Sequence, residues 1–412
     1  MDHVADYDPD LKPRLRYVEA NLVETDSGCS FVLSDPQRLA TGAVTVNEPT
    51  LFVLSRFDGT HTLAHVREAF AREYKQPIGE DQIVSILETL EQAHLLCGAS
   101  FERYYEELVN GYRAAPARVM QNVAELGLDD AADATLQGVI DAAPTSWRSR
   151  DRVVGLIAPH LDYPRGAPCY SAAYTALLDQ PPPSRVVFLG TNHFGRSLSV
   201  VATGKDFETP LGLTRTDTGF LDGLERQLGG LRDNEFDHQR EHSVELQLLL
   251  CQRLWGADAF EMLAVLCPDP CGPTGTAPLD GHGADMKAFA RVLGEAIRAD
   301  DKPTVVIAGA DLSHVGRHFG DHHELDDSFL SQVRSSDLSA LDRVAANQPD
   351  ALLGHLCANQ NATRVCSAGC ISALLFALPD AHVDVLRYHQ AVDEDKTVGV
   401  TCAAAVLTRS RP

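Results

Sequence analysis

Positive charge is in short supply in this sequence: 35 Lys and Arg stand against 58 Asp and Glu, a formal net charge of -23. A chain this acidic repels phosphate backbones and anionic headgroups, which excludes nucleic acid and membrane surfaces as its main partners. Long hydrophobic runs are also lacking. The longest, such as "ISALLFAL" (371–378), fall far short of the roughly 20 apolar residues that a bilayer-spanning helix needs. The opening "MDHVADYDPDLKPRLRY" is polar and acidic, without the apolar stretch of a secretory signal. Ten cysteines scattered over 412 residues are too thinly spread for a disulfide framework, so reduced thiols and a cytoplasmic location are expected. Internal repeats and low-complexity tracts are missing as well.

What is present is a chain long enough for two or three domains. In the first hundred residues, "CSFVLSD" (29–35) reads as a strand, "NEPTLFVLSRF" (47–57) as a short helix and "DGT" (58–60) as a turn. Leu63, Val66, Phe70 and Tyr74 then recur at helical spacing, and Ile83, Ile86, Leu87 and Leu90 mark a further helix. These elements predict a winged-helix-like module over residues 1–102. It carries no basic recognition helix, which argues against DNA binding. Residues 103–150 read as a connecting helical segment, patterned around "DDAADATLQGVIDAA" (129–143).

From 151 to 412 apolar strand runs alternate with helical stretches. Strands are expected at 153–158, 185–190, 198–203, 260–266, 304–309, 383–388 and 398–407. Helices are expected near 170–179, 217–228, 241–255, 284–298, 324–347 and 366–378. This alternation predicts an α/β domain with a mainly parallel central sheet and helices on both faces.

Three of the strand runs share an ending. "VVGLIAPHLDY" (153–163) leads to His160, "RVVFLGTNHFG" (185–195) to His193, and "TVVIAGADLSH" (304–314) to Asp311 and His314. Ligand sites of open parallel sheets form outside the carboxyl ends of the strands, so one rim would gather all four residues. A single histidine after a strand is ordinarily a loop residue bonded to backbone. Three in succession point to metal ligation or proton transfer, the chemistries that imidazole serves best. Two histidines with one anionic ligand are a common way to hold a transition metal with open positions.

The anionic ligand is sought in "RVCSAGCISALLFAL" (364–378). Cys366 lies at the start of a helical run, where the helix N-terminus favours a thiolate. Cys370 follows one turn later, and both could equally pack as small apolar residues. Cys267 and Cys271 of "CPDPC" offer a weaker, four-thiolate zinc alternative, because the usual knuckle spacing is C-x-x-C. In "DHQREHSVELQLLL" (237–250), Val244, Leu248, Cys251 and Trp255 form an apolar stripe with Glu241 and His242 in the first turn. That pair is either a helix cap or a means of aiming His242 at the same pocket. The cluster "HFGDHHELDD" (318–327) reads as a polar helix entry, and His238 and His282 have no context.

Together these stretches resemble the Memo family, whose bacterial members are often labelled protein B of an AmmeMemoRadiSam system. "PHLDYPRG" (159–166), "LGTNHFG" (189–195), "EHSVELQL" (241–248), "GADLSHVG" (309–316) and "VCSAGCISALL" (365–375) match its motifs in order. The entry "F-DGTHTLAHV" (57–66) is similar to the small peptide-binding domain of pyrroloquinoline-quinone biosynthesis. The Memo resemblance implies a core similar to class III extradiol dioxygenases, with His160, His193 and Cys366 as metal ligands. It implies His242, Asp311 and His314 as the catalytic pocket residues; the D-x-x-H spacing at a strand end further suits Asp311 to orienting His314. Two positions depart from the family pattern: Phe194 replaces a second histidine, and Ser367 replaces a glycine.

The function expected on these grounds is that of a non-haem, dioxygenase-like redox enzyme using iron or copper, with zinc as a further candidate. Its substrate would be a small molecule or a peptide, and its partners a radical-SAM protein and a small companion protein. The alternative is a non-catalytic metal- or peptide-binding protein working with that partner system.

Overall fold

A computed structural model describes residues 7–25, 28–121, 123, 126, 128, 132–322 and 324–410. Residues 1–6 of the acidic opening, 129–131 of the connector pattern and His323 of the 318–327 cluster lie outside the described residues. The chain divides into two compact units, Met1–Ala115 and Pro116–Pro412. The boundary falls inside the stretch read as a connector.

The first unit contains β1 (Glu19–Thr25), β2 (Gly28–Ser34), β3 (Val44–Val46), α1 (Glu48–Leu54), α2 (Leu63–Tyr74), α3 (Glu80–Gln92) and α4 (Ala99–Ala114). Its strands form an antiparallel sheet in the order β1-β2-β3. Helix starts follow local chemistry. Asn47 accepts from the Thr50 amide ahead of α1, and Thr62 accepts from the His65 amide ahead of α2. Leu63, Val66 and Phe70 of α2 then pack with Ile83, Leu87 and Leu90 of α3 in one core.

The second unit runs β4 (Ala117–Val119), α5 (Ala132–Asp141), β5 (Arg152–Ala158), α6 (Tyr163–Thr175), β6 (Arg185–Thr191), β7 (Val201–Thr203), β8 (Asp206–Thr209) and β9 (Gly212–Thr214). It continues through α7 (Thr218–Leu228), α8 (Glu245–Trp255), β10 (Glu261–Cys267), α9 (Met286–Ala299), β11 (Thr304–Gly309) and β12 (Asp311–Val315). It closes with α10 (Asp327–Ala345), α11 (Pro349–Ala358), α12 (Ala368–Ala377), β13 (His382–Val392) and β14 (Gly399–Arg409).

The large sheet has the order β12-β14-β5-β11-β6-β10-β7, with β13 paired to β14. Only its centre is parallel, in the pairs β5–β11, β11–β6 and β6–β10. The sheet is therefore mixed rather than mainly parallel. Both edges are antiparallel: β7 pairs so with β10, and at the other side β13 turns back by a short return into β14, which itself runs antiparallel to β5 and β12. The parallel strands are buried on both faces, which explains their unbroken apolar runs. In β5, Val153 and Leu156 face the core shared with α6 and α8, whereas Val154 and Ile157 face the core shared with α9 and α12.

Departures from the sequence expectation near the site have local reasons. Helix α6 starts at Tyr163 because Asp162 caps it and Pro164 fits its first turn. Helix α8 starts only at Glu245, since Glu235–Arg240 coil as a 3-10 segment. The polar "DLSHV" forms β12, a strand without an apolar run.

The carboxyl ends of β5, β6 and β11 lie side by side, and residues 241–247 pass across them. Glycine at two strand ends permits that approach. A Cβ on Gly190 would strike the Ser243 hydroxyl, and one on Gly309 would strike the Ser243 carbonyl oxygen. Ser243 Oγ accepts from the Thr191 amide at 3.0 Å, and Gln247 Nε2 donates to the Pro159 carbonyl at 2.6 Å. Because the obstacle at Gly309 is backbone rather than a movable side chain, Gly309→Ala is expected to lower stability by about 1–3 kcal/mol. A urea unfolding midpoint shifted down relative to the parent checks this; an unchanged midpoint contradicts the close approach.

Candidate metal centre

His160 sits two residues beyond β5 and is 3 % exposed. Its Nδ1 lies 3.0 Å from the Gly309 carbonyl, a group that only accepts, so Nδ1 carries the proton. That leaves Nε2 as the nitrogen able to coordinate a metal, 3.4 Å from Cys366 Sγ. Asp311 anchors the residue twice. Its Oδ1 accepts from the His160 amide at 3.1 Å, and its Oδ2 lies 3.5 Å from Nε2.

His193 stands two residues beyond β6, and Glu241 fixes it in the same manner. The Glu241 carboxylate accepts from the His193 amide at 3.0 Å and from Nδ1 at 3.1 Å. A carboxylate on Nδ1 sets the tautomer, orients the ring and raises its basicity, leaving Nε2 for a ligand. The rings of His160 and His193 meet edge to face, with centroids 4.8 Å apart. The donor atoms of His160, His193 and Cys366 all lie within 4.8 Å of one another.

Cys366 enters from the turn before α12. Its Sγ touches His160 Nε2 and lies 3.2 Å from Ser367 Oγ. Burial opposes a thiolate here, but the charge of His160, hydrogen bonds from His160 and His193, and the charge of His314 outweigh it and hold the pKa well below the usual thiol range. Burial likewise opposes the charged form of His160, yet Asp311 and Cys366 hold its pKa up at about 9. In His193 burial is outweighed by Glu241 and Cys366, and its pKa stands well above the ordinary imidazole value. Glu241 is 1 % exposed, and despite burial the two neighbouring imidazoles and the Ser243 amide keep it ionised.

The three remaining residues of the expected site occupy different positions. His242 stacks on His193 with centroids 5.2 Å apart, and its Nδ1 lies 3.5 Å from Glu241 Oε1. His193, Glu241 and His242 thus form a second group with closely spaced donor atoms. Burial pushes the His242 pKa down to about 4, so the ring is neutral near pH 7. Asp311 and His314 both belong to β12. Their partners on β14 are Cys402 and Val400, two residues apart, whereas Asp311 and His314 are three apart. The extra residue is a bulge, and it turns both side chains to the same face despite their odd spacing.

Asp311 nevertheless does not orient His314. Its carboxylate is engaged by His160, while His314 Nδ1 donates to the Leu312 carbonyl at 3.1 Å. Glu241 is not a helix cap either, because α8 begins four residues later. The cysteines of "CPDPC" take no part: neither belongs to a group of closely spaced donors among the described residues. His238 is structural, with Nε2 donating to the Val201 carbonyl and its own carbonyl held by buried Arg118.

Arg118 is a residue that pattern reading missed. It is 2 % exposed, donates to the carbonyls of His238 and Glu241, and pairs with Glu245. It thereby clamps the segment that carries Glu241 and His242. No signal in a short "ARV" strand reveals a partner more than 100 residues away.

These features define a mixed α/β domain with a two-imidazole, one-thiolate centre at its strand ends. The profile described as "Memo-like protein" matches residues 129–406, and the chain belongs to the Memo family. A MEMO1 family protein of Thermus thermophilus is 26 % identical over 351 residues, covering 84 % of this chain and 99 % of its own. One of Aquifex aeolicus is 24 % identical over 324 residues, covering 77 % and 79 %. One of Methanopyrus kandleri is 32 % identical over 198 residues, covering 47 % and 60 %. The first two spans are longer than the second unit, so these relatives share part of the first unit as well.

If the Glu241 carboxylate is what aims His193, Glu241→Gln will weaken metal binding by about 10–100-fold, with the fold intact. Chelator competition measures the affinity and circular dichroism the fold. An unaltered affinity would remove Glu241 from the site's machinery.

Proposed function

We propose that this Memo-family protein is a metal-dependent redox enzyme of the dioxygenase-like kind, with His160, His193 and Cys366 as the metal ligands. The observation that supports this most is the convergence of two imidazoles, each with Nδ1 already committed, on one thiolate. The donor set fits a metal. The 3.4 Å between His160 Nε2 and Cys366 Sγ is about the separation of two ligands on a tetrahedral ion with bonds of roughly 2.0–2.3 Å. Two nitrogens and a soft sulfur suit Fe(II) and Cu(I), with Zn(II) also accommodated. The metal would supply redox chemistry toward a small-molecule or peptide substrate, with dioxygen as the oxidant.

The chain's own residues supply the rest. Asp311 holds His160 in place through its amide and ring. His242 is neutral near pH 7 and stands beside the ligand His193, so it accepts a proton from the substrate. His314, turned to the same face as Asp311 by the bulge, is the second proton carrier. Phe194 packs on the rings of His193 and His242 and excludes water from that side.

A second reading is favoured by the first unit. A 240 Å³ groove there is lined by Val44, Val46, Asn47 and Thr50 on one side and Ser85, Ile86 and Thr89 on the other. It runs beside β3, the last strand of its sheet, where an extended peptide can add a strand. In this reading the protein binds metal and peptide without turnover, alongside a radical-SAM partner.

Metal analysis by mass spectrometry, on protein purified without oxygen, tests the centre. Near-stoichiometric iron or copper is expected in the parent and its loss in Cys366→Ala and His193→Ala. No metal in any of the three, and none taken up on titration, would overturn the centre. Nitric oxide separates the two readings: a new paramagnetic signal from the iron-loaded protein supports the enzyme, and its absence supports the binding protein.

Proton release gives an independent check. Near neutral pH His160, with its pKa held up at about 9, and His193, with its pKa held well above the ordinary imidazole value by Glu241 and Cys366, both carry a proton that a metal ion would displace. Binding at pH 7 is expected to release about two protons, with affinity falling as the pH is lowered. Calorimetry in buffers of different ionisation enthalpy reads that number; zero release would show that neither imidazole becomes a ligand.

A further inference from the structure

Ser367 occupies the N-cap position of α12, yet its side chain makes no cap to the helix. Serine is among the strongest N-cap residues, so a hydroxyl turned away from the helix is engaged elsewhere. The residue is fully buried. Its Oγ lies 3.1 Å from the Asp311 amide nitrogen, 3.1 Å from Thr191 Oγ1 and 3.2 Å from Cys366 Sγ. A fourth neighbour, His160 Nδ1, is 3.5 Å away.

The donors can be assigned by elimination. A hydroxyl has one proton and two lone pairs. The Asp311 amide only donates, so it occupies one lone pair. His160 Nδ1 already gives its proton to the Gly309 carbonyl. The Ser367 proton therefore goes either to Thr191 Oγ1 or to Cys366 Sγ. Thr191 Oγ1 has a further neighbour in Cys370, 3.4 Å away, a thiol that burial and Cys267 keep protonated and that can donate to it. With Cys370 donating to Thr191, the Thr191 proton fills the second lone pair of Ser367, and the Ser367 proton is left for the sulfur. With a metal bound the sulfur is a thiolate, and a hydrogen bond to an anion is roughly twice as strong as one between neutral groups, so this arrangement prevails in the loaded site.

We propose that Ser367 is a positioning residue whose hydroxyl, backed by Thr191 and Cys370, donates a hydrogen bond to the Cys366 thiolate and so sets how strongly that sulfur binds a metal. The proposal rests on the two-histidine, one-cysteine reading above. A hydrogen bond draws electron density from the sulfur, which weakens its donation and raises the energy of sulfur-to-metal charge transfer.

The test is the near-ultraviolet sulfur-to-cobalt charge-transfer band of the full chain titrated with Co(II) alone. Ser367→Ala is expected to move the band to longer wavelength, and Ser367→Thr to restore the parent position. Thr191→Val leaves the Ser367 hydroxyl in place and is expected to move the band in the same direction by less. A band unmoved in Ser367→Ala, while Co(II) still binds, would overturn the proposal and spare the ligand set. So would a shift to shorter wavelength in Thr191→Val, which would mean that the Ser367 proton had belonged to Thr191. A parent that binds Co(II) without a sulfur band would overturn both the proposal and the role of Cys366 as a ligand.

Discussion

The buried carboxylate of Glu241 is the point on which the centre turns. It accepts from the amides of His193 and Ser243 and from the His193 ring, while its own carbonyl is tied to Arg118. An ion placed this deep is unstable unless every lone pair is met. Here the need is met by groups that the site also requires in fixed positions. The interaction that keeps Glu241 ionised is thus the same one that fixes the tautomer and direction of His193. The segment carrying it can cross the strand ends only because Gly190 and Gly309 have no side chains. Backbone shape, buried charge and ligand orientation are one constraint seen from three sides.

Charge balance explains how the fold tolerates such a centre. Glu241, Asp311 and Cys366 contribute negative charge within a few ångströms, and imidazolium rings at His160 and His193 offset most of it. A divalent ion that displaces the two ring protons brings in the charge it removes. The buried charge would then be the same before and after loading with a divalent ion. Asp311, on an antiparallel strand rather than in a loop, adds rigidity to this arrangement by holding both the amide and the ring of His160.

Much of this was legible in the sequence where the signal was local. Buried parallel strands read as apolar runs, and their ends placed His160, His193, Asp311 and His314 on one rim. Cys366 was marked by its place before an apolar helix. What the sequence could not show depended on distant or subtle geometry. The partner of Asp311 is His160, 151 residues earlier, rather than His314 three residues later. The bulge in β12 has no residue signature, although it decides which way His314 faces. Glu241 looked like a cap because an apolar stripe beginning at Val244 does not reveal that the preceding turn is 3-10. The mixed character of the sheet arises at its edges, from β7 on one side and from β13 and β14 on the other, whose apolar runs look like any parallel strand.

The placement of α12 accounts for the position of the proposed thiolate ligand. Cys366 lies two residues before the helix, one position ahead of its N-cap Ser367, where the positive helix end favours a thiolate. Gly369 admits this helix end against the carbonyl of Pro268, a contact that any Cβ would prevent. The close approach brings the turn at 366–367 down onto the rim, within reach of both histidine-bearing loops. The sulfur meets His160 Nε2 with one rotatable bond, and its charge is supported by the helix end behind it and the imidazoles in front.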